Sequence, residues 1–186
     1  PGIDFGLLLP PQRRLTGALF GLRKPTLAAL PGPAAGAGLS IALACDMRIA
    51  AASAFISTGY VRVGLSGDYG VAWLLSQLVG RGRASELMLL SNNVDGTRCL
   101  GMGIFNRVVA DADLQTQAFA LARQLAHGPA LAQALIKDNL DDSSTVGFDT
   151  ALDNEAVRLI RSTMDADHAE AVRAFVEKRA PRFRSD

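Results

Sequence analysis

Two short stretches of this sequence could do chemistry, and the first would do it with backbone groups. Within "KPTLAALPGPAAGAGLSIALACD", Lys24 to Asp46, Gly36-Ala37-Gly38 separates a short apolar run from a run with a helical pattern. A tight turn into a helix leaves the first amide groups of that helix unpaired, and such groups bind anions or developing negative charge. The plainer interpretation is a turn that permits close packing. The stretch is not a phosphate-binding loop, because the GxxxxGKS/T pattern is absent.

The second stretch is "GLSGDYG", in which Asp68 supplies a carboxylate. Asp68 comes just before a helical pattern that begins near Tyr69 to Val71, and an aspartate there is typical of a helix N-cap. A carboxylate in an apolar pocket can instead act as a general base. The local sequence by itself favours the cap.

The elements that must position these two stretches alternate between short strands and helices. We predict strands at residues 26–30, 47–50, 60–63 and 104–109, and helices at 39–44, from Val71 to a stop at Gly80, and at 83–90. After Val109 the pattern is helical to the end. The sequence therefore predicts an α/β part over residues 1–110 and an all-helical region over residues 111–186.

Composition and charge exclude several function classes. The 186 residues carry 19 Lys plus Arg against 18 Asp plus Glu, so no long-range field favours a nucleic acid or an acidic membrane surface. No apolar stretch reaches the roughly 18 residues of a membrane span, and no export signal is evident, so we expect a cytoplasmic protein without a membrane partner. The spacing of Cys45 and Cys99 favours buried thiols over a disulfide or a metal site.

Four segments carry a resemblance to a known family. They are "KPTLAALPGPAAGAGLSIALACDMRIAAASAFI", "VRVGLSGDYGVAWLLSQLVGRGRASELMLL", "GMGIFNRVV" and "EAVRAFVEKRAPRF", in that order along most of the chain. In these segments the sequence resembles the crotonase family, also called the enoyl-CoA hydratase/isomerase family. The resemblance implies an α/β fold with a β-β-α spiral core, followed by a C-terminal all-helical region that forms oligomers.

The resemblance also implies an oxyanion hole for an acyl-CoA thioester. In that family two backbone N–H groups hold the thioester carbonyl, and Ala37 matches the donor at the helix entrance, between Gly36 and Gly38. The other donor lies in a GxD loop, whose form Gly2-Ile3-Asp4 has, so Ile3 would be the second donor. The connection from Ile3 to Ala37 is shorter than the family pattern. The family's upstream strands are also missing from a chain that begins at Pro1, so we expect an incomplete sheet.

The family's hydratases use two glutamates, and this sequence has neither. Ser40 stands at the first of these positions and Tyr60 at the second, with some slack in the alignment. Neither is a general base at neutral pH without help. Asp68 is the available carboxylate, and it resembles an aspartate that some isomerases of the family carry in this loop. The resemblance therefore favours an enoyl-CoA isomerase with Asp68 as the base.

Other implications of the resemblance concern binding and assembly. Phe175 and Lys178 match positions where a neighbouring subunit's last helix helps to hold coenzyme A, although Phe175 could equally be core and Lys178 a solvated charge. A homotrimer or hexamer is implied, with no metal and no cofactor, because coenzyme A is part of the substrate. Three alternatives stay open: a hydratase with unusual groups, a hydrolase with Asp68 positioning water, and a non-catalytic acyl-CoA binding subunit.

Overall fold

The computed structural model describes residues 5–184, and these form two compact units. The first unit contains Thr26–Phe119 together with the described residues up to Leu22. The second unit contains Arg23–Pro25 and the described residues from Ala120 onwards. Gly2, Ile3 and Asp4 lie outside the described residues. The expected division into residues 1–110 and 111–186 stays a prediction.

The first unit begins with helical turns and continues with two small sheets. A 3₁₀ turn, Phe5–Leu7, precedes α1, Leu9–Gln12; a π-helical turn, Arg13–Gly17, and α2, Ala18–Phe20, follow. The strands are β1 (Leu27–Leu30), β2 (Ala34–Ala35), β3 (Met47–Ala51), β4 (Phe55–Ser57), β5 (Val94–Asp95) and β6 (Arg107–Val109). One sheet has the order β1-β3-β6 and is parallel throughout. In the other sheet β2 pairs parallel with β4, and β4 pairs antiparallel with β5.

Helices cover these strands and enclose the core. They are α3 (Gly36–Ala44), α4 (Val71–Leu90), α5 (Gly96–Gly101) and α6 (Leu114–Ala126), with 3₁₀ turns at Tyr60–Val63 and Asp111–Asp113. α4 bends at Gly80, whose φ of 74° and ψ of 160° are not helical, so the expected stop at this glycine is confirmed. The most deeply buried large side chains are Leu39, Ile49, Ile56, Leu75, Ile104 and Phe105. This apolar core fixes the starts of α3 and α4, where the candidate site lies.

The predicted strand at residues 60–63 is wrong. Tyr60–Val63 is a 3₁₀ turn, and it lies between Gly59 and Gly64, whose φ angles of 74° and 70° are left-handed. Two left-handed glycines bend the chain at both ends, so an extended segment cannot continue through it. The strand predicted at 104–109 is shorter in the structure and comprises Arg107–Val109. Ile104 and Phe105 come before it and are buried in the core.

Arg48 on β3 shows how the first unit satisfies a buried charge. Its side chain is 3% exposed and donates to the carbonyl oxygens of Cys45 and Ile104, both at 2.6 Å. Burial lowers the pKa of the guanidinium, while the neighbouring thiol of Cys45 and carboxylate of Asp46 act in the opposite direction. Arg48 thereby ties the end of α3 to the segment before β6, because it donates to a carbonyl oxygen in each.

The second unit is helical. It contains the last part of α6 and then α7 (Ala130–Thr145), α8 (Phe148–Thr163) and α9 (Ala166–Val176). Arg158 on α8 forms an ion pair with Asp142 on α7 at 2.5 Å. The Glu170 carboxylate on α9 accepts hydrogen bonds from Arg179 and from the main-chain N–H of Arg182, so the chain after α9 folds back along it. Large apolar side chains stay exposed here, among them Phe148, Leu159, Ile160, Met164, Phe175 and Val176.

Candidate active site

The candidate site lies where β2 leads into α3 and where the 3₁₀ turn leads into α4. Both places belong to the first unit. α3 starts at Gly36 with a left-handed φ of 52°, and α4 starts at Val71 after Gly70, whose φ is 80°. Each helix therefore begins at a sharp turn of the backbone. The residues held by these turns are Ala37 and Asp68.

The first turn of α3 presents backbone donors. Its N-cap, Ala35, makes no side-chain cap hydrogen bond, and the turn contains no acidic residue. The opening N–H groups of a helix have no partner within it, and they carry the positive end of the helix dipole. The Ala37 N–H is one of these groups. The small side chain of Ala37 and the absence of one at Gly38 leave the backbone open to close approach.

The Asp68 carboxylate is held by Tyr60. The Tyr60 hydroxyl donates a short hydrogen bond to Asp68 Oδ1, and the ring of Tyr60 is buried whereas Asp68 is half-buried. Burial, followed by this hydrogen bond to Asp68, raises the pKa of the Tyr60 hydroxyl above its ordinary value. The phenol therefore stays protonated at neutral pH and can act as a donor. One oxygen of the carboxylate is occupied by this bond.

Ser40 connects the two halves of the site. Its hydroxyl, fully buried, donates to the carbonyl oxygens of Gly36 and of Asp68, each at 3.3 Å. The main chain at the start of α3 is thus two hydrogen bonds away from the main chain of Asp68. A side chain at Gly36 would extend towards the Tyr60 hydroxyl, since its Cβ would lie 4.0 Å from that oxygen. Asp68, Tyr60 and the α3 turn therefore occupy one location.

The loop that carries Asp68 is shaped by left-handed residues. Gly64, Gly67 and Gly70 have positive φ, and so does Tyr69, at 49°. A non-glycine residue in this region costs on the order of 1 kcal/mol and persists where its surroundings hold it. The main-chain N–H of Tyr69 donates to Gln12 Oε1 at 2.7 Å, so α1 holds this loop in place. The position of Asp68 is therefore fixed by its neighbours rather than by a helix cap.

The N-cap interpretation of Asp68 is wrong. The N-cap residue of α4 is Gly70, and no side-chain cap bond is made there. The Asp68 side chain turns to Tyr60 instead, and its carbonyl oxygen accepts the N–H of Val71 at 3.2 Å. The Asp68 carboxylate therefore does not cap α4, and its hydrogen-bond partner is Tyr60.

Five further residues were predicted from the sequence as parts of the site. Gly2, Ile3 and Asp4 fall outside the described residues, so the second oxyanion donor stays a prediction. Phe175 and Lys178 belong to the second unit: Phe175 on α9 is 85% exposed, and Lys178 follows the end of α9 with a left-handed φ of 53°. The alternative that Phe175 is a core residue is therefore wrong for this chain. Lys178 is exposed.

The described residues offer no candidate site for a metal ion. Residues 5–184 contain no group of three or more His, Cys, Asp or Glu side chains arranged to hold a metal ion. Cys99 is buried, and burial raises the pKa of its thiol to about 12. In the same part of the chain no helix combines the length and the apolar character needed to cross a bilayer.

Sequence reasoning found Asp68, Ser40 and Tyr60 but missed how they are connected. Ser40 and Tyr60 were identified as replacements for glutamates, and nothing in their spacing shows that one holds the main chain of Asp68 and the other its carboxylate. The two glycines around Tyr60–Val63 were the available signal, because they indicate a turn that brings Tyr60 back towards Asp68.

The chain is similar to known proteins by family model, by sequence and by structure. A family model described as "Enoyl-CoA hydratase/isomerase" matches residues 9–186. The chain is 39% identical over 188 residues to the 1,2-epoxyphenylacetyl-CoA isomerase of Escherichia coli (strain K12), which covers 98% of the chain and 70% of the isomerase. It is 32% identical to 4-chlorobenzoyl coenzyme A dehalogenase-1 of Arthrobacter sp, over 84% of the chain and 57% of the dehalogenase.

A solved structure agrees with these matches. The crystal structure of an enoyl-CoA hydratase from Polaromonas sp. JS666 superimposes with a TM-score of 0.92 and is 32% identical in sequence. The match covers 96% of this chain and 70% of the hydratase chain. This chain therefore spans between about half and three quarters of the length of the isomerase, the dehalogenase and the hydratase.

Proposed function

The chain belongs to the enoyl-CoA hydratase/isomerase family and has the crotonase fold, and we propose that it is an isomerase that moves a double bond within an acyl-CoA thioester. One observation carries this proposal: Ser40 joins the main chain of Asp68 to the start of α3, and Tyr60 holds the Asp68 carboxylate. A base and a set of oxyanion donors are what the removal of a proton next to a thioester carbonyl requires.

The oxyanion is assigned to the start of α3. The thioester carbonyl oxygen would accept the Ala37 N–H, with Ile3 as the second donor. As the α-proton leaves, negative charge develops on this oxygen, and the positive end of the α3 dipole stabilises it. A placed donor of this kind contributes about 3 to 4 kcal/mol to the transition state. Gly36 and Gly38, with Gly2 and Asp4 around Ile3, would let the acyl group approach the backbone.

The proton step is assigned to Asp68. Its carboxylate takes a proton from the carbon next to the carbonyl, so a C–H bond breaks, an O–H bond forms and the electron pair enters the enolate. Asp68 then returns the proton to another carbon along the conjugated system, and the double bond has moved. No atoms are gained or lost. The reaction needs no cofactor, since coenzyme A is part of the substrate.

Assembly and coenzyme A binding form part of the same proposal. Apolar side chains on α8 and α9 are exposed in the chain by itself, including Phe148, Leu159 and Phe175. Large apolar side chains left exposed in this number are typical of a surface that another protein covers. We assign it to contacts between copies in a homotrimer or hexamer, in which Phe175 and Lys178 of one copy contact the coenzyme A of another.

A panel of enoyl-CoA thioesters followed by mass spectrometry tests the reaction. Isomerisation leaves the mass of the thioester unchanged and alters its chromatographic retention. Hydration adds the mass of one water, and hydrolysis releases free coenzyme A. A product carrying added water, or binding without any turnover across the panel, would contradict the proposed isomerase.

A further inference from the structure

The hydroxyl of Tyr60 has a single carboxylate partner in the described chain. Tyr60 is 6% exposed, and its hydroxyl donates to Asp68 Oδ1. Its ring is enclosed by the loop that carries Asp68, since a Cβ at Gly67 would lie 3.9 Å from ring atom Cδ2. Among the described residues, Asp68 is the charged side chain that raises the pKa of this hydroxyl, and the neighbouring Ser40 hydroxyl acts in the opposite direction.

We propose that Tyr60 is a positioning residue for Asp68: its hydroxyl occupies Oδ1 and leaves Oδ2 as the oxygen that takes and returns the substrate proton. This inference rests on the proposed function and adds to it the identity of the reacting oxygen. Tyr60 acts through Asp68 and does not itself exchange a proton with the substrate.

The geometry supports this role because separate contacts hold the main chain and the carboxyl group of Asp68. Ser40 holds the main-chain oxygen at 3.3 Å, and Gln12 holds the next residue through the Tyr69 N–H at 2.7 Å. These contacts fix the backbone but leave the carboxyl group free to rotate. The Tyr60 hydroxyl removes that rotation, so one oxygen is held away from the substrate and the other is free to react.

The hydrogen bond also keeps Tyr60 in the form that can donate. Burial and the bond to Asp68 raise the pKa of Tyr60, so the phenol remains a donor throughout the range of an ordinary assay. The pair thus combines a fixed orientation of the carboxyl group with a donor that stays protonated.

Kinetics of Tyr60→Phe test the positioning role. The ring is kept, so the core contact with the loop survives while the hydroxyl is lost. We expect kcat to fall roughly 10- to 100-fold with KM near that of the parent, as for the loss of a hydrogen bond to a charged group. The loss should appear in kcat rather than in KM, because the hydroxyl contacts Asp68 and not the bound thioester.

Tyr69→Phe is the matched control. Tyr69 is the next residue of the same loop, and its hydroxyl makes no hydrogen bond within residues 5–184. This variant should leave kcat close to that of the parent. An equal fall of kcat in both variants would show a general loosening of the loop and would overturn the positioning role.

A second measurement does not depend on turnover. The sequence contains two tyrosines, so in a Tyr69→Phe background the ultraviolet absorbance of tyrosinate follows Tyr60 alone. Adding Asp68→Asn should lower the ionisation midpoint of Tyr60, because the negative partner is removed. A midpoint that does not move would show that the pair does not form, and the inference would be wrong even in an active enzyme.

The two measurements separate this inference from the proposed function. A parent that processes no thioester, but whose Tyr60 midpoint moves with Asp68→Asn, overturns the proposed function and with it the catalytic meaning of the pair. A parent that isomerises thioesters, but whose kcat is unchanged by Tyr60→Phe, overturns the positioning role alone. A lowered kcat at an unchanged KM, together with a moved Tyr60 midpoint, supports both.

Discussion

The hydroxyl of Ser40 donates across 3.3 Å to the main-chain carbonyl oxygen of Asp68, 28 residues further along the chain. The same hydroxyl also donates to the carbonyl oxygen of Gly36, four residues before it in α3. Ser40 thus links the start of α3 to the main chain of Asp68. It connects the proposed oxyanion donors to the proposed base.

Ser40→Ala should therefore weaken the site more than it weakens the helix. Loss of a buried hydroxyl with two acceptors should lower the free energy of unfolding by about 1 to 2 kcal/mol, measured by urea denaturation. We also expect a lower kcat, because Asp68 is less firmly held. Ser76→Ala is the control, since Ser76 bonds to the carbonyl oxygen of Ala72 within α4 and, among residues 5–184, to no second segment. A Ser40→Ala enzyme with the kcat of the control would contradict the linking role.

Asp68→Asn should abolish most of the turnover while the thioester still binds. A placed general base contributes roughly 10²- to 10⁴-fold, and an amide cannot take the proton. Steady-state kinetics give the rate, and isothermal titration with the substrate gives the affinity. Asp113→Asn, an exposed aspartate before α6, serves as the control. Full activity in a folded Asp68→Asn enzyme would exclude Asp68 as the base.

Ala37→Pro tests the backbone donor directly, because proline removes the N–H group. Proline is tolerated in the first turn of a helix, and Ala37 is the second residue of α3, so the fold should survive. We expect a loss of about 10²- to 10³-fold in kcat, the usual effect of removing one oxyanion donor. Ala37→Gly should keep the activity, whereas Ala37→Val should weaken acyl-CoA binding by crowding the oxygen.

Ala166→Pro controls for the cost of proline at a helix start, since Ala166 opens α9 in the second unit. Thermal melts of both proline variants come first. If Ala37→Pro melts like the control and processes every thioester that the parent does, the glycines around Ala37 serve packing alone.

Light scattering at micromolar concentration should give three or six times the mass of one chain. Phe175, 85% exposed, is expected to be covered in that assembly, so Phe175→Asp should lower the mass and raise KM for the acyl-CoA. Lys178→Ala should raise KM at an unchanged mass, because we assign it to coenzyme A rather than to the interface. A monomer mass for the parent would refute the proposed assembly.

Cys99 should resist alkylation until the chain unfolds. Its thiol is buried, and burial raises its pKa to about 12, so almost no thiolate exists near pH 8. Iodoacetamide labelling followed by mass spectrometry, in native buffer and in urea, measures this. In the unfolded chain the Cys99 thiol ionises at the ordinary thiol pKa, whereas in the folded chain it does not. The contribution of Cys99 to the free energy of unfolding is therefore complete below the ordinary thiol pKa and is lost as the pH rises towards 12. Rapid labelling of Cys99 in the native protein would contradict its burial.

Most elements of the fold followed from the sequence alone. The helices predicted over 39–44, from Val71 to Gly80 and throughout the C-terminal part are present, and so are the strands at β1 and β3. Their signal is local: apolar side chains at helical or alternating spacing, interrupted by glycine or proline. The family was also evident from four segments in order. The short strands β2, β4 and β5 were missed, because two or three residues carry too little pattern.

The sequence likewise determined which residues could act, namely Ala37 through its backbone and Asp68 through its carboxylate. The tertiary structure decided what surrounds them. Tyr60 is eight residues from Asp68 and Ser40 is 28 residues from it, and spacing does not reveal a contact that depends on two left-handed glycines and the packing of α3 against α4. Asp68 looked like a helix cap because an aspartate commonly caps the helix that follows it. Here Gly70 takes that place, and a buried phenol offers the carboxylate a donor that no local pattern indicates.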